Sequence, residues 1–579
     1  MQSDRQQEKD FYIFNIHTHI FTKDHVPKYL AKKFVIWPLY LLLGTDLGIK
    51  IIKLFTNRKR NSFSYEARNK RWSLYKWRMF IIRNSLYNIF YVVFKLISTL
   101  VFSYYLVLWL NPLLNESKFG KWIYPIIEVY IKPYLPNIET GWNQFFVLLA
   151  FVFVFGHLRI GLSKLLKTSI QKFVGKERLK FLLRYLNIIK YSDKKEGESG
   201  MSINFRQLKQ QYPSNSRFVI LPMDMEFMSA GRVREPFLEQ MKGVMLLKQK
   251  NQNSFFPFVH VDPRRIENQL PNEPFFTFSK TKDGSVQLKD CQLKTYLDQG
   301  ACGIKIYPAL GYYPFDKNLL PLWLFCAQNE IPITTHCSVG PIFYRGKKKK
   351  VWDRHPVFEE VISGKAANNN QVFEKLRLMQ VKNKDFQANF THPLNYCCLL
   401  MPHFLKQLLD EYNDDTLNSL FGYKKGTLEQ DLSKLKINLA HYGGAENWDR
   451  FLDKDRQRVA NEIVNRPLEG LRLKSELTQV GNLYAHWHYS DWFSIISSMI
   501  IEFENVYTDI SYTAHNTQYL NLLSEVMNHP KIQERVLFGT DFYVVSNQKT
   551  EKAYWIDMQN QLSEDKWQKL AFDNPNHFI

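Results

Sequence analysis

Eight short apolar or β-branched runs punctuate the chain, and several carry a histidine or an aspartate at or just past their end. They span residues 11–16, 218–224, 256–264, 303–308, 331–336, 437–444, 506–511 and 536–541. Runs this short, bounded by turn residues, read as buried strands. Helix-length segments separate most of them, as at 319–327 and 492–496. Strand and helix alternating eight times predicts an α/β chain with the (β/α)8 TIM-barrel architecture. In that fold the carboxyl ends of the strands meet at one mouth. An open doubly wound sheet would instead scatter those ends along an edge.

The pattern breaks after the first strand. Residues 22–210 form a long insertion, and loops of that length carry structure or function of their own. Three apolar stretches lie within it, at 34–43, 89–110 and 142–158. The first is too short for a bilayer, and the other two approach the ~20 residues a spanning helix needs. Basic residues flank the pair, from Arg58 to Arg83 on one side and from Arg159 to Arg178 on the other, while the connecting loop is balanced. Both flanks then lie in the cytoplasm. A transmembrane hairpin at about 89–110 and 142–158 is expected, with the protein anchored on the cytoplasmic side of a membrane. The alternatives are helices packed on the barrel, paired in a dimer, or lying in the interface. Because the insertion leaves from the catalytic end of strand one, the site is expected to open near the bilayer, toward an amphiphilic substrate. The domains are thus 1–21 (strand one), 22–210 (helical insertion) and 211–579 (the rest of the barrel). A helical lid is expected over 338–430.

The strand ends carry the candidate chemistry. His17 and His19 stand two residues apart after the first run, so both face one side. His336 closes the fifth run, His441 the sixth and Asp541 the eighth. Imidazoles and a carboxylate suit a borderline divalent ion such as zinc. Taken singly, each is more often a hydrogen-bonded core or loop residue. Their shared placement at strand ends favours a common site.

On these residues, and on the segments 303–314 and 538–541, the chain resembles the amidohydrolase superfamily, in the branch of amidohydrolase-related metal-dependent hydrolases and decarboxylases. The resemblance covers residues 11–21 and most of 217–579. It implies one divalent metal, Zn2+, held by His17, His19, His336 and Asp541, with His441 and Asp541 as catalytic residues. Lys305, on the fourth strand, bridges two metals in other branches but is no ligand in mononuclear members. Asn15 departs from the aspartate usual at that place in the family. The implied reaction is hydrolysis of an ester, lactone or amide by a metal-activated water, with Asp541 passing a proton to the leaving group. The alternatives are non-oxidative decarboxylation, for which Arg264 and Arg345 are candidate carboxylate anchors, and a non-catalytic barrel scaffold.

Bulk properties narrow the partners. The net charge is +22, but the excess clusters around apolar spans, which fits anionic lipid better than nucleic acid. The six cysteines show neither zinc-ribbon nor redox spacing and fit a reducing compartment. A small-molecule substrate and a membrane are the expected partners, and no nucleic acid. Tyr307, Tyr312, Asp224, Glu446 and Trp448 follow strand ends, where packing or capping is the commoner role.

Overall fold

The computed structural model describes residues 11–27, 65–114, 117–136, 142–155, 158, 197–361, 372–424, 426–453 and 469–579. Two compact units divide the chain: residues 64–181, and the remainder.

In the larger unit the eight expected strands form one parallel sheet. They are β1 (Phe14–Thr18), β2 (Arg217–Ile220), β3 (Phe255–His260), β4 (Gly303–Ile306), β5 (Ile333–His336), β6 (Ile437–Ala440), β7 (Val506–Asp509) and β8 (Val536–Leu537). Each pairs with the next in chain order. The ring closes where Ile16 N–H donates to Phe538 at 2.9 Å, Asp541 N–H to His17 at 2.9 Å and His19 N–H to Phe542 at 2.7 Å. The sheet is therefore a closed TIM barrel.

The floor of the barrel is apolar. Phe14, Ile16, Val219, Leu221, Phe258 and Leu537 pack there, all buried. Gly303 belongs to this layer because a Cβ on it would overlap the ring of Phe258. A β-bulge in β1 sets the rest. Asn15 pairs with Phe218, but Thr18 pairs with Ile220, so Ile16 and His17 together oppose Val219. The extra residue shifts the side-chain phase. Ile16 faces the floor below it, and His17 and His19 face the mouth above it.

The insertion is narrower than 22–210. Residues 200–209 form a helix whose Met201, Ile203, Phe205 and Leu208 are buried, with Phe205 edge-on to Phe218 and Phe255. It is the barrel's first helix. The lid also differs from a purely helical one. It contains an antiparallel strand pair, Arg354–Val361 with Phe373–Arg377, besides helices such as Pro402–Tyr412. His355 folds back onto Asn395, giving this strand pair its own buried anchor. All six cysteines are free thiols.

The smaller unit is helical: α1 (Tyr65–Arg83), α2 (Ser85–Leu114), α3 (Lys118–Tyr130) and α4 (Trp142–Val154). Tyr104, Tyr105, Ile127 and Leu148 make its core. The N-terminal half of α2 stays bare, with Leu86, Ile89, Phe90, Phe94 and Leu96 all more than half exposed. Its apolar stretch Ser85–Leu110 has 26 residues, or about 39 Å of helix, against a hydrocarbon thickness of about 30 Å. Among the described residues the second expected span is helical over 13 residues, about 20 Å. Residues 156–157 of that span and the apolar stretch 34–43 lie outside the described residues.

Three buried histidines, one on a barrel strand and two in the lid, make the larger unit acid-sensitive. Burial pushes His260, His355 and His392 down to about 3. A depressed imidazole stays neutral when folded, so the unfolded chain takes up the extra proton between pH 6.5 and 3. Stability is therefore full above pH 6.5 and falls as the pH drops. The expected loss between pH 7 and pH 5 is ~2 kcal/mol per histidine, read as a lower denaturation midpoint. An unchanged midpoint would contradict it.

Candidate metal centre

Three side chains from opposite ends of the sequence meet at the mouth. Donor atoms of His17, His19 and Asp541 lie within 4.8 Å of one another, all buried. His19 Nε2 is 3.2 Å and His17 Nε2 is 3.8 Å from Asp541 Oδ1. Metal–ligand bonds of about 2.0–2.2 Å in a tetrahedron separate donors by about 3.4 Å. The two imidazole–carboxylate distances, 3.2 and 3.8 Å, bracket that spacing.

The tautomers are set from behind. His17 Nδ1–H donates to Asp509 Oδ2 at 2.9 Å, and His19 Nδ1–H donates to the Leu221 carbonyl at 2.7 Å. Each Nε2 then carries a lone pair. His19 Nε2 faces Asp541 Oδ1, acceptor against acceptor. His17 Nε2 is buried with no hydrogen-bond partner. A cation between them satisfies all three atoms, and backing of this kind fixes ring orientation in metal sites. The residues present thus fit a divalent ion.

Electrostatics agree. Burial pushes His17 down to about 3, against the pull of Asp509. Burial would raise Asp541, but the surrounding imidazoles of His19, His441 and His17 outweigh it and hold the carboxyl at about 2. Asp509 is likewise held below the carboxylate range, because His17, His441 and Ser511 outweigh its burial. At neutral pH the site offers an unprotonated His17 and an ionised Asp541, the forms metals bind.

His336 stands one ring further out. It is not part of that triad, and its Nδ1 lies 2.9 Å from His441 Nε2. Ser511 gives its hydroxyl proton to Asp509, so its Oγ accepts from His441 Nδ1 at 2.9 Å. His441 Nε2 is then an acceptor and takes the Nδ1–H of His336. His336 Nε2 keeps a lone pair, 3.3 Å from Ser338 Oγ. Tyr307 stacks on the His336 ring at 4.1 Å. A Cβ at Gly340 would come within 3.1 Å of His336 Nε2 and 3.2 Å of the Tyr307 hydroxyl, so residue 340 leaves room there.

Asp509 was not singled out from sequence, although its run was recognised as a strand. It accepts from His17 Nδ1, from Asn438 Nδ2 at 2.8 Å, from the backbone N–H of His441 at 3.1 Å and from that of Ser511 at 3.0 Å. With His17 and His441 it forms a second cluster of ligand type. The signal was the same strand-end placement that marked the histidines. His441 (φ 71°) and Asp541 (φ 61°) both adopt the left-handed backbone, which costs roughly 1–3 kcal/mol each and aims their side chains inward.

Lys305 is fully buried beside this cluster, and its Nζ has no hydrogen-bond partner. Burial lowers it to about 8, against the attraction of Asp509 and Asp541. His260 Nε2, on the neighbouring strand in register with Lys305, is also buried without a partner. Arg264 is committed elsewhere: its Nε and Nη2 donate to Asp262 at 2.8 and 2.6 Å, and its Nη1 to the Phe227 carbonyl at 2.9 Å. Arg345 donates to the Pro341 carbonyl and lies over the Phe343 ring at 3.6 Å. Tyr312, Asp224 and Trp448 serve the scaffold: the Tyr312 hydroxyl accepts from Tyr307 N–H, Asp224 accepts from Arg265 and Trp448 donates to the Tyr442 carbonyl. Glu446 lines a cleft on the same rim with Val339, Arg450, Trp487 and Trp492.

No protein-family profile and no curated protein matches this sequence. Solved structures similar to it include an uncharacterized TIM-barrel protein from Bordetella bronchiseptica (12% identity, 65% of this chain and 80% of that one, TM-score 0.31). Others are a 2,6-dihydroxybenzoate decarboxylase from Rhizobium (12%, 63% and 83%, TM-score 0.31) and an amidohydrolase from Mycobacterium avium subsp. paratuberculosis (13%, 62% and 70%, TM-score 0.26).

Proposed function

We propose that the chain is a metal-dependent hydrolase that uses a single divalent ion, Zn2+, to cleave an ester, lactone or amide at a membrane. One observation carries this reading: two Nε2 lone pairs and a carboxylate oxygen converge, buried, with no proton donor between them. When bound, the ion supplies Lewis acidity, which polarises a carbonyl oxygen and acidifies adjacent water. The side chains supply the rest. His17, His19 and Asp541 hold the ion, and His336, one ring further out, positions His441 through its Nδ1–H. On substrate entry His441 Nε2 exchanges the Nδ1–H of His336 for a proton of the attacking water and passes that proton to the leaving group. Asp541, ionised at working pH, orients that water. The aromatic cleft lined by Trp487 and Trp492 accepts the apolar part of the substrate.

A second reading, non-oxidative decarboxylation, is favoured by the buried and unpartnered Lys305 Nζ, which is placed to take a substrate carboxylate. A substrate panel separates the two: acid release without carbon dioxide supports hydrolysis, and carbon dioxide release supports the alternative. Neither product with metal-loaded protein would leave the scaffold role.

The bare apolar face of α2 and the basic flanks support membrane attachment on the cytoplasmic side. Full-length protein is expected to float with anionic vesicles, whereas a version with residues 64–181 replaced by a short linker is expected to stay in solution and keep its metal. Equal flotation of both would contradict the assignment.

A further inference from the structure

Behind the metal-binding pair lies a buried network that the proposed reaction does not use. Four side chains from distant parts of the chain compose it: Asn15 on β1, Tyr212 after the first barrel helix, Thr540 beside Asp541, and Glu551 at the start of the helix Glu551–Gln561. Asn15 Nδ2 donates to the Tyr212 hydroxyl at 2.9 Å and to Thr540 Oγ1 at 2.8 Å. Both hydroxyls donate in turn to one atom, Glu551 Oε2, at 2.7 and 2.8 Å. Asn15 Oδ1 accepts the backbone N–H of His17 at 3.2 Å.

The protons can be counted. Each hydroxyl has one proton, and both are directed to Glu551 Oε2. Each hydroxyl oxygen therefore accepts, and the group facing the pair must bring two N–H bonds. An amide at position 15 does so and leaves one oxygen for His17, the bulge residue. Oε2 accepts both protons whether or not Glu551 is ionised, since its other oxygen, Oε1, has no partner. The direction of every bond is thus set from residue 551.

We propose that Glu551 is a positioning residue for the metal site: through Tyr212 and Thr540 it fixes Asn15 as donor, and so holds the bulge that aims His17 and the turn that carries Asp541. Thr540 is covalently next to Asp541, whose left-handed backbone needs a fixed neighbour (φ 61°). Asn15 pins the backbone of His17. One acidic group, off the mouth, therefore controls two of the metal-binding residues.

The test is a double-mutant cycle in the full-length protein, read by zinc affinity in a competition assay and by Tm. In Asn15→Asp, two acceptor-only groups compete for the same two hydroxyl protons. Its zinc affinity should fall about 10- to 100-fold, the usual effect of disturbing a group behind a ligand. Adding Glu551→Gln supplies an N–H donor on the far side and lets every bond reverse, so the double variant should return to within about threefold of wild type. Glu551→Gln alone, whose amide oxygen can still accept both protons, should lose less than Asn15→Asp. Unchanged or tighter zinc binding in Asn15→Asp would overturn the proposal, as would a double variant no better than the single one. A lowered Tm with unaltered zinc affinity would reduce the network to scaffold and also overturn it. If wild type binds no zinc the metal reading fails, and rescue of Tm in the double variant still decides whether residues 15 and 551 are coupled.

Discussion

Asp541→Asn is expected to abolish turnover while leaving the fold in place. Asparagine tolerates the left-handed backbone that residue 541 adopts, so the substitution adds no strain (φ 61°). What it removes is the only carboxylate of the triad, whose Oδ1 stands 3.2 Å from His19 Nε2. Structural zinc sites bind with roughly 10–16 kcal/mol shared among about four ligands. Losing one ligand then weakens binding on the order of 10^2- to 10^3-fold. Turnover should fall further, because the residue also orients water in the proposed reaction. Zinc titration, thermal melting and product release together check this. A variant with normal zinc affinity would show that residue 541 is not a ligand.

Asp509→Asn carries the second-largest effect. Either amide orientation sets an NH2 group against N–H donors, because each oxygen of Asp509 accepts at least two. If the amide nitrogen faces His17, the imidazole moves its proton to Nε2 and can no longer bind metal through that atom. If it faces the other way, it opposes the backbone N–H groups of His441 and Ser511. The expected result is 10- to 100-fold weaker zinc binding and a loss of roughly 2–4 kcal/mol in stability. Both are larger than a surface substitution gives. Unchanged metal affinity would mean that Asp509 is a core acid without influence on His17.

The barrel could be read from the chain because each strand is a short apolar run with a polar end, and that local pattern survives folding. The histidine pair was legible for the same reason. What the sequence could not show was the bulge at Ile16 and His17, since register depends on β2. Nor could it place His336, which lies one imidazole beyond the triad and reaches it through His441. Asp509 lay at a recognised strand end but has no histidine motif to mark it. Glu551 and Tyr212 sit in or beside helices, with no local signature; only tertiary packing brings them to Asn15. In the lid, the strands at 354–361 and 373–377 lack the alternation that marks a half-buried strand, which is why helices alone were expected. Residues 200–209 were grouped with the insertion by position, whereas their buried Phe205 ties them to the barrel.

The central claim is that positions 17, 19 and 541 share one ion. Anomalous diffraction from crystals of zinc-loaded protein tests it most directly. A single peak is expected within about 2.0–2.2 Å of His17 Nε2, His19 Nε2 and an oxygen of Asp541. A zinc-loaded crystal with no peak at that point, or with its zinc bound elsewhere, would contradict the account.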